Sequence, residues 1–204
     1  MLEIHETIRI KRRKIMKNVA IFASGEGTNA ENLFNYFNND KRVKIKLVVT
    51  NSDNAGVIAR AEKYKKNVQI ISKTALQEYT SQIIEFLQTE KIDIIVLAGF
   101  LLKIPEAFIK AFPNQIINIH PALLPNYGGK GMYGMHVHNA VIGNKDVESG
   151  ITIHYVNEEY DKGEIILQAR CKIEETDTAA SLAAKIRKLE FEYFPKAIEK
   201  IIEN

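Results

Sequence analysis

The chain has a single cysteine, Cys171, among 204 residues. That scarcity excludes an intramolecular disulfide framework and accords with a reducing compartment. No uninterrupted apolar stretch is long enough to cross a bilayer, and no internal repeat or low-complexity tract is present. Charge of one sign is scarce too. The 28 Lys and Arg against 25 Asp and Glu leave a net +3, too little for a dedicated nucleic-acid binder, which needs a concentrated basic face. Much of the excess sits in one run, Arg9-Ile10-Lys11-Arg12-Arg13-Lys14. Met1 to Ile15 has no apolar segment of a secretory signal, and Glu3 and Glu6 oppose a transit peptide. Those residues are read as a solvated N-terminal extension. What remains, residues 16–204, is expected to be one cytoplasmic domain with no membrane or nucleic-acid partner.

From Lys17 onward, short β-branched runs alternate with longer helical periods. Asn18 to Ala23, Val43 to Thr50, Val68 to Ile71, Asp93 to Leu97 and Gln115 to Ile119 read as buried strands. Ala30 to Asn38, Val57 to Lys65 and Leu76 to Lys91 read as helices between them, with a further segment around Pro105 to Phe112. Strands apolar throughout, with helices in the connections, predict an α/β fold built on a doubly wound, mostly parallel sheet. Gly150 to Val156 alternates and is expected to pair with Glu164 to Lys172 as an antiparallel hairpin. A long final helix is predicted over Thr178 to Ile202, with Asp177 as N-cap and Pro195 as a kink or break.

Ligands of such sheets bind beyond the carboxyl ends of the strands. After the first strand comes Ser24-Gly25-Glu26-Gly27-Thr28-Asn29. Its glycines allow a tight turn, and the helix that follows points free N–H groups at an anion, so a phosphate is the expected guest. Gly25, Gly27 and Ala30 also satisfy the dinucleotide fingerprint, with Asp53 beyond the second strand, and that alternative stays open. Gly128-Gly129-Lys130-Gly131 is not a Walker motif, because no Ser or Thr follows the lysine.

Asn118 and His120 end an apolar strand two residues apart, so their side chains share one side. An amide donor beside an imidazole suits a site that polarises a carbonyl and stabilises an oxyanion. Asp161, in the loop between the two antiparallel strands, is a candidate partner whose carboxylate would raise the histidine above its ordinary value. His136, His138 and Asp161 lack the recurrent spacing of a zinc site, and no metal is expected.

Four segments carry a resemblance: Ser24 to Asn29, Val96-Leu-Ala-Gly-Phe100, Asn118-Ile-His-Pro-Ala-Leu-Leu-Pro125 and Asp161-Lys-Gly-Glu-Ile-Ile-Leu-Gln168. With these the chain resembles, over nearly all of residues 16–204, the phosphoribosylglycinamide formyltransferases, folate-dependent enzymes of purine synthesis. The resemblance implies a Rossmann-like formyltransferase fold and two small-molecule substrates, 5'-phosphoribosylglycinamide and 10-formyltetrahydrofolate, in a monomer or homodimer. It implies a catalytic set of Asn118, His120 and Asp161, with His120 the proton donor. It places the ribonucleotide phosphate at Gly27, Thr28 and Asn29, and the glycyl amine near Glu190 and Arg187. It places the folate's pterin at Leu101, Leu102, Lys103 and Ile104 and at Asn157, Glu158, Glu159, Tyr160 and Asp161.

This chain departs from the family pattern in three places. Leu101-Leu102 stands where Met-Arg is common, with Lys103 next; a family arginine that approaches the folate tail falls at Leu76, near Lys73. The segment from Pro125 to His136 is longer than usual, and Lys130 and Tyr133 are expected to form a lid or a surface loop. Methionyl-tRNA formyltransferase and formyltetrahydrofolate hydrolase carry additional domains for which no room is expected here. A nucleotide-binding module without catalysis is the reading from a different class.

Overall fold

The computed structural model describes residues 16–203; the extension read over Met1 to Ile15 lies outside the described residues. Seven strands form one sheet: β1 (Lys17–Phe22), β2 (Val43–Thr50), β3 (Asn67–Ile70), β4 (Ile94–Leu97), β5 (Ile116–His120), β6 (Glu148–Tyr155) and β7 (Ile165–Lys172). Their spatial order is β3-β2-β1-β4-β5-β6-β7. Strands β1 to β5 run parallel, and β6 and β7 are antiparallel additions at one edge. The helices are α1 (Thr28–Tyr36), α2 (Val57–Lys63), α3 (Lys73–Glu78), α4 (Thr80–Thr89), α5 (Glu106–Ala111), α6 (Met135–Gly143) and α7 (Ala179–Glu203).

Side-chain alternation divides the strands between two cores. Val19 and Ile21 of β1, Val96 of β4 and Ile117 of β5 face one core, where α1, α2, α6 and α7 supply Leu33, Val57, Val141 and Leu182. Ala20, Phe22, Leu97 and Ile116 face the other, under α3, α4 and α5 with Leu76, Leu87 and Phe108. Chain progression reverses between β1 and β4, which are hydrogen-bonded neighbours. A crevice therefore opens between the loops that follow them, at the topological switch point.

Where the elements differ from the sequence reading, local chemistry accounts for it. The helix expected over Leu76 to Lys91 is two helices, α3 and α4. The Thr80 hydroxyl donates back to the Leu76 and Gln77 carbonyls at 2.6 and 3.1 Å, competing with the helical pattern at the junction. Helix α6 forms where no element was expected; Val137 and Val141, four residues apart, pack into the core shared with α7. Thr178 caps α7 in place of Asp177: Ser181 N–H donates to Thr178 Oγ1, and Thr178 N–H to Ser181 Oγ. Asp177 instead accepts from Glu174 N–H and ion-pairs with Lys185, which hold its carboxyl down at about 2.

Pro195 does not break α7. Proline has no N–H for the carbonyl four residues earlier, here that of Phe191. The side-chain amide of Asn32 on α1 donates to that carbonyl at 2.9 Å, and the helix continues with Pro195 buried.

Candidate active site

The carboxyl ends of β1, β4 and β5 open into a cleft of roughly 780 Å³, within the range of small-molecule sites. Gly25, Thr28 and Asn29 line it, together with Arg187 and Glu190 of α7. Gly27 does not reach the cleft wall. It is buried with φ +72, and a Cβ there would stand 2.6 Å from Val57. Its glycine is therefore required by backbone conformation and packing, and Gly25 is the residue that faces the crevice. The Asn29 amide donates to a Glu190 carboxylate oxygen at 3.0 Å, and Asn29 Oδ1 is buried with no partner among the described residues. Burial pushes the Glu190 carboxyl up, against the pull of Asn29 and Arg187.

Asn118 and His120 share a side at the end of β5, as their spacing predicts. In the antiparallel register Asn118 lies opposite His154 of β6. His154 Nδ1 is 2.8 Å from the Tyr155 carbonyl, an acceptor only, so Nδ1 carries the proton and Nε2 accepts. Nε2 is 3.1 Å from the Asn118 amide nitrogen. That nitrogen also makes a long 3.4 Å contact to Asp161 Oδ1. On the other side, His120 Nε2 is 2.8 Å from the Tyr127 carbonyl and therefore donates. His120 Nδ1 faces Asp161 Oδ2 at 3.7 Å, beyond hydrogen-bond reach.

Asp161 adopts a left-handed backbone with φ +55 and is fixed from outside its own loop. Gly129 N–H donates to its Oδ2 at 2.8 Å. Burial by itself would raise this carboxyl, but positive charge on the His154 ring, 3.7 Å away, together with the Gly129 N–H outweighs it and holds Asp161 below the usual carboxylate value. His120 departs from expectation. It is 3% exposed, and burial depresses it below 6.5 more than Asp161 and the Tyr127 carbonyl raise it. The resting imidazole is the neutral form near pH 7, with Nδ1 as its free acceptor.

Across the cleft, Leu101, Leu102, Lys103 and Ile104 form a mostly apolar rim with Asn157, Glu159 and Tyr160. The Lys103 ammonium stands 5.5 Å from the centre of the Tyr160 ring. Ser24 holds this rim against the first strand: its hydroxyl donates to Asn51 Oδ1 and accepts from Leu101 N–H at 2.9 Å. Glu158 is exposed and does not line the cleft. Leu76 is core, at 2% exposure, so the position of the family arginine has no access to ligand, and Lys73 does not line the cleft.

The long segment after Pro125 forms a wall of the cleft from Gly129 to Met135. Through the Tyr127 carbonyl and the Gly129 N–H it touches both His120 and Asp161. The turn before it is pinned by Thr152 of β6, whose hydroxyl donates to the Ala122 carbonyl and accepts from Leu124 N–H. Gln168 of β7 adds bonds to the Leu124 carbonyl and to Thr152, both at 2.9 Å.

Sequence reasoning missed His154 and the two loop backbone groups. The alternation of Ile151 and Ile153 with Thr152 and His154 reads as a half-exposed strand, and only the structure shows that all four are buried. Among the described residues, no group of three or more His, Cys, Asp or Glu side chains is arranged to hold a metal ion, and no helix is long and apolar enough to cross a membrane.

The chloroplastic phosphoribosylglycinamide formyltransferase of Arabidopsis thaliana is 35% identical over 193 residues, 92% of this chain; the match spans 66% of that protein, just under two thirds of its length. The phosphoribosylglycinamide formyltransferase of Haemophilus influenzae is 34% identical over 93% of this chain and 89% of its own. The crystal structure of the Bacillus halodurans enzyme of that name superposes with a TM-score of 0.83 at 33% identity, covering 91% of this chain and 95% of its own. Residues 17–198 match the family described as formyl transferase, and the chain belongs to that family.

Proposed function

We propose that the protein transfers the formyl group of 10-formyltetrahydrofolate to the glycyl amine of 5'-phosphoribosylglycinamide. The observation that carries this reading is the convergence of Asn118, His120 and Asp161 in one cleft, between a helix N-terminus suited to phosphate and an apolar rim suited to a flat ring. Residues 16–204 act as one formyltransferase domain in this reading, with the ribonucleotide at Thr28, Asn29, Arg187 and Glu190 and the folate at 101–104, Asn157 and 159–161.

The neutral amine attacks the formyl carbon, a C–N bond forms, and charge develops on the formyl oxygen. The Asn118 amide donates to that oxygen, using the hydrogen that makes only the 3.4 Å contact to Asp161 at rest. The amine's proton passes to Nδ1 of neutral His120, and Asp161 stabilises the imidazolium so formed. The proton then goes to the folate nitrogen as its bond to the formyl carbon breaks, leaving an N-formyl product and deformylated folate. His120 is the donor in this last step because it was the acceptor in the first. Asn118 and His120 supply the polarisation, so no step calls on a metal.

The test is release of deformylated folate from protein mixed with 10-formyltetrahydrofolate. Release that depends on the ribonucleotide amine supports the reading. Hydrolysis without the amine, or nicotinamide-nucleotide binding without transfer, overturns it.

A further inference from the structure

Tyr127 meets His120 with its carbonyl and a distant carboxylate with its hydroxyl. The carbonyl accepts from His120 Nε2 at 2.8 Å, and the hydroxyl donates to Asp146 Oδ2 at 2.6 Å. Asp146 lies in the turn between α6 and β6, where its Oδ1 accepts from the Asn144 side-chain amide at 2.6 Å. Neither Tyr127 nor Asp146 lines the cleft; both border a separate groove with Ala140, Gly143 and Asn144 at the end of α6. We propose that Asp146 and the Tyr127 hydroxyl are a positioning pair, which holds the Tyr127 carbonyl on His120 Nε2 so that the ring's proton stays there and Nδ1 stays a base. The inference rests on the reading in which Nδ1 takes the proton of the attacking amine, and adds the residues that keep that nitrogen free.

A neutral imidazole has one proton for two nitrogens, and the groups facing each nitrogen decide where it sits. Nδ1 of His120 faces Asp161 Oδ2 at 3.7 Å. A carboxylate draws the proton toward the nitrogen it faces, because a hydrogen bond to an ionised acceptor is stronger than one to a carbonyl. A small turn of the ring would bring that pair into reach and leave Nδ1 protonated, unable to accept from the amine. The Tyr127 carbonyl opposes this by offering Nε2 an acceptor. Its place is not a relaxed one. Tyr127 has φ +56, a left-handed backbone that residues other than glycine keep where their surroundings hold them. The chain is tied on one side at Ala122 and Leu124 by Thr152 and Gln168, and on the other at Gly129 by Asp161. Between these points the Tyr127 side chain packs on the core and its hydroxyl is tied to Asp146. Burial first and Asp146 second push that hydroxyl above its ordinary value, so it stays protonated and donates. Freed of Asp146, residue 127 can relax to negative φ, which turns its peptide units and takes the carbonyl off the imidazole.

The experiment compares the wild type with Tyr127→Phe, Asp146→Ala, Asp146→Asn and the double variant Tyr127→Phe with Asp146→Ala. Nitrogen-15 NMR of the histidine rings, on protein without substrates at about pH 8, reads which nitrogen of neutral His120 carries the proton. The His120→Asn variant assigns those signals by their loss. Transfer kinetics and thermal melting are measured on the same proteins. In the wild type the proton is expected on Nε2. In Tyr127→Phe and in Asp146→Ala a share of it is expected on Nδ1. Their kcat should be about tenfold lower with both KM values little changed, a part of the roughly 100- to 10,000-fold that a general base supplies. The double variant should match the worse single one, because both changes cut the same tie. Asp146→Asn keeps an oxygen for the tyrosine hydroxyl and should recover part of kcat and of the Nε2 form. A wild-type proton on Nδ1, a tautomer that the variants do not move, or a tautomer that moves without kcat would each overturn the proposal. So would raised KM with kcat preserved, lowered melting with kcat and tautomer unchanged, or losses that multiply in the double variant. All of these leave the transfer reaction standing. A wild type without formyl transfer overturns the reading on which the base rests, whereas the tautomer, read without substrates, decides the tie to Asp146 in either case.

Discussion

Nε2 of His154 faces the amide nitrogen of Asn118 at 3.1 Å across the β5–β6 pair. The Tyr155 carbonyl holds the proton of His154 on Nδ1, so Nε2 has only a lone pair to offer and the amide must present its nitrogen. In the proposed mechanism His154 thereby positions the oxyanion donor. Removing an oxyanion donor lowers kcat about 100- to 1,000-fold, and Asn118→Ala is expected to fall in that range with the fold intact. His154→Leu should lower kcat by roughly tenfold, with both KM values little changed. The double variant should be no worse than Asn118→Ala alone, because both changes remove the same oriented donor. Losses that multiply in the double variant would separate the two residues.

The pH dependence follows from burial of His120. Its folded value lies below 6.5, so between that value and 6.5 the unfolded chain binds more protons than the folded one. This group's contribution to stability is complete above 6.5 and is lost as pH falls toward the folded value. His138 is depressed in the same direction and adds to the effect. The acid limb of the kcat profile is expected below 6.5, because the proposed mechanism starts from neutral His120. Asp161→Asn removes a charge that raises His120, and should move the limb further to acid while lowering kcat. Rate profiles and melts from about pH 5 to 8 check both signs. A limb above 6.5 would restore the protonated resting histidine suggested by sequence.

Two glycines of one loop are expected to answer alanine differently. Gly27 combines φ +72 with Val57 atoms 2.6 Å from its missing Cβ, so Gly27→Ala faces both backbone strain and a clash. The cost is about 2–5 kcal/mol, from 1–2 for the left-handed backbone and 1–3 for overpacking. At Gly25 nothing lies within 4 Å of the added atom. Gly25→Ala should therefore melt near the wild type while raising the KM for the ribonucleotide, since that methyl enters the cleft. Denaturation and steady-state kinetics on the pair separate scaffold from ligand contact.

Asn32 and Pro195 form a testable couple. Asn32→Ala leaves the Phe191 carbonyl without its donor and should cost about 1 kcal/mol, a fall of roughly 2–4 °C in Tm for a chain of this size. Pro195→Ala supplies a backbone N–H to the same carbonyl, so Asn32→Ala made in that background should cost distinctly less. Equal costs in both backgrounds would dissociate the amide from the proline.

Parts of the site were legible because they lie close together in the chain. Asn118 and His120 obey the two-residue period of a strand, and the glycine loop opens a helix, which begins at Thr28 rather than at Ala30. The motif from Asp161 to Gln168 was visible as a resemblance, but the use of Gln168, which pins the turn at Leu124, is a contact over 44 positions. Gly27 was read as part of a phosphate-binding turn; the packing reason for glycine there, Val57 reaching it from α2, is one the sequence could not display. Pro195 looked like a break because the donor that compensates for it stands on another helix, 159 residues away from Phe191.

Local alternation and chain order were sufficient for the strands, the parallel arrangement and the edge of the sheet where the cleft opens, because those follow from side-chain period and from the handedness of crossovers. Folding in three dimensions decided the ionic character of the site. Whether His120 is charged depends on how much water is excluded around it and how far Asp161 stands off, and both are set by the Tyr127–Gly129 backbone and by β6. Register across β5 and β6 likewise chose His154 as the neighbour of Asn118. Solvation and through-space distance are properties of the packed chain, and no spacing along a sequence encodes them alone.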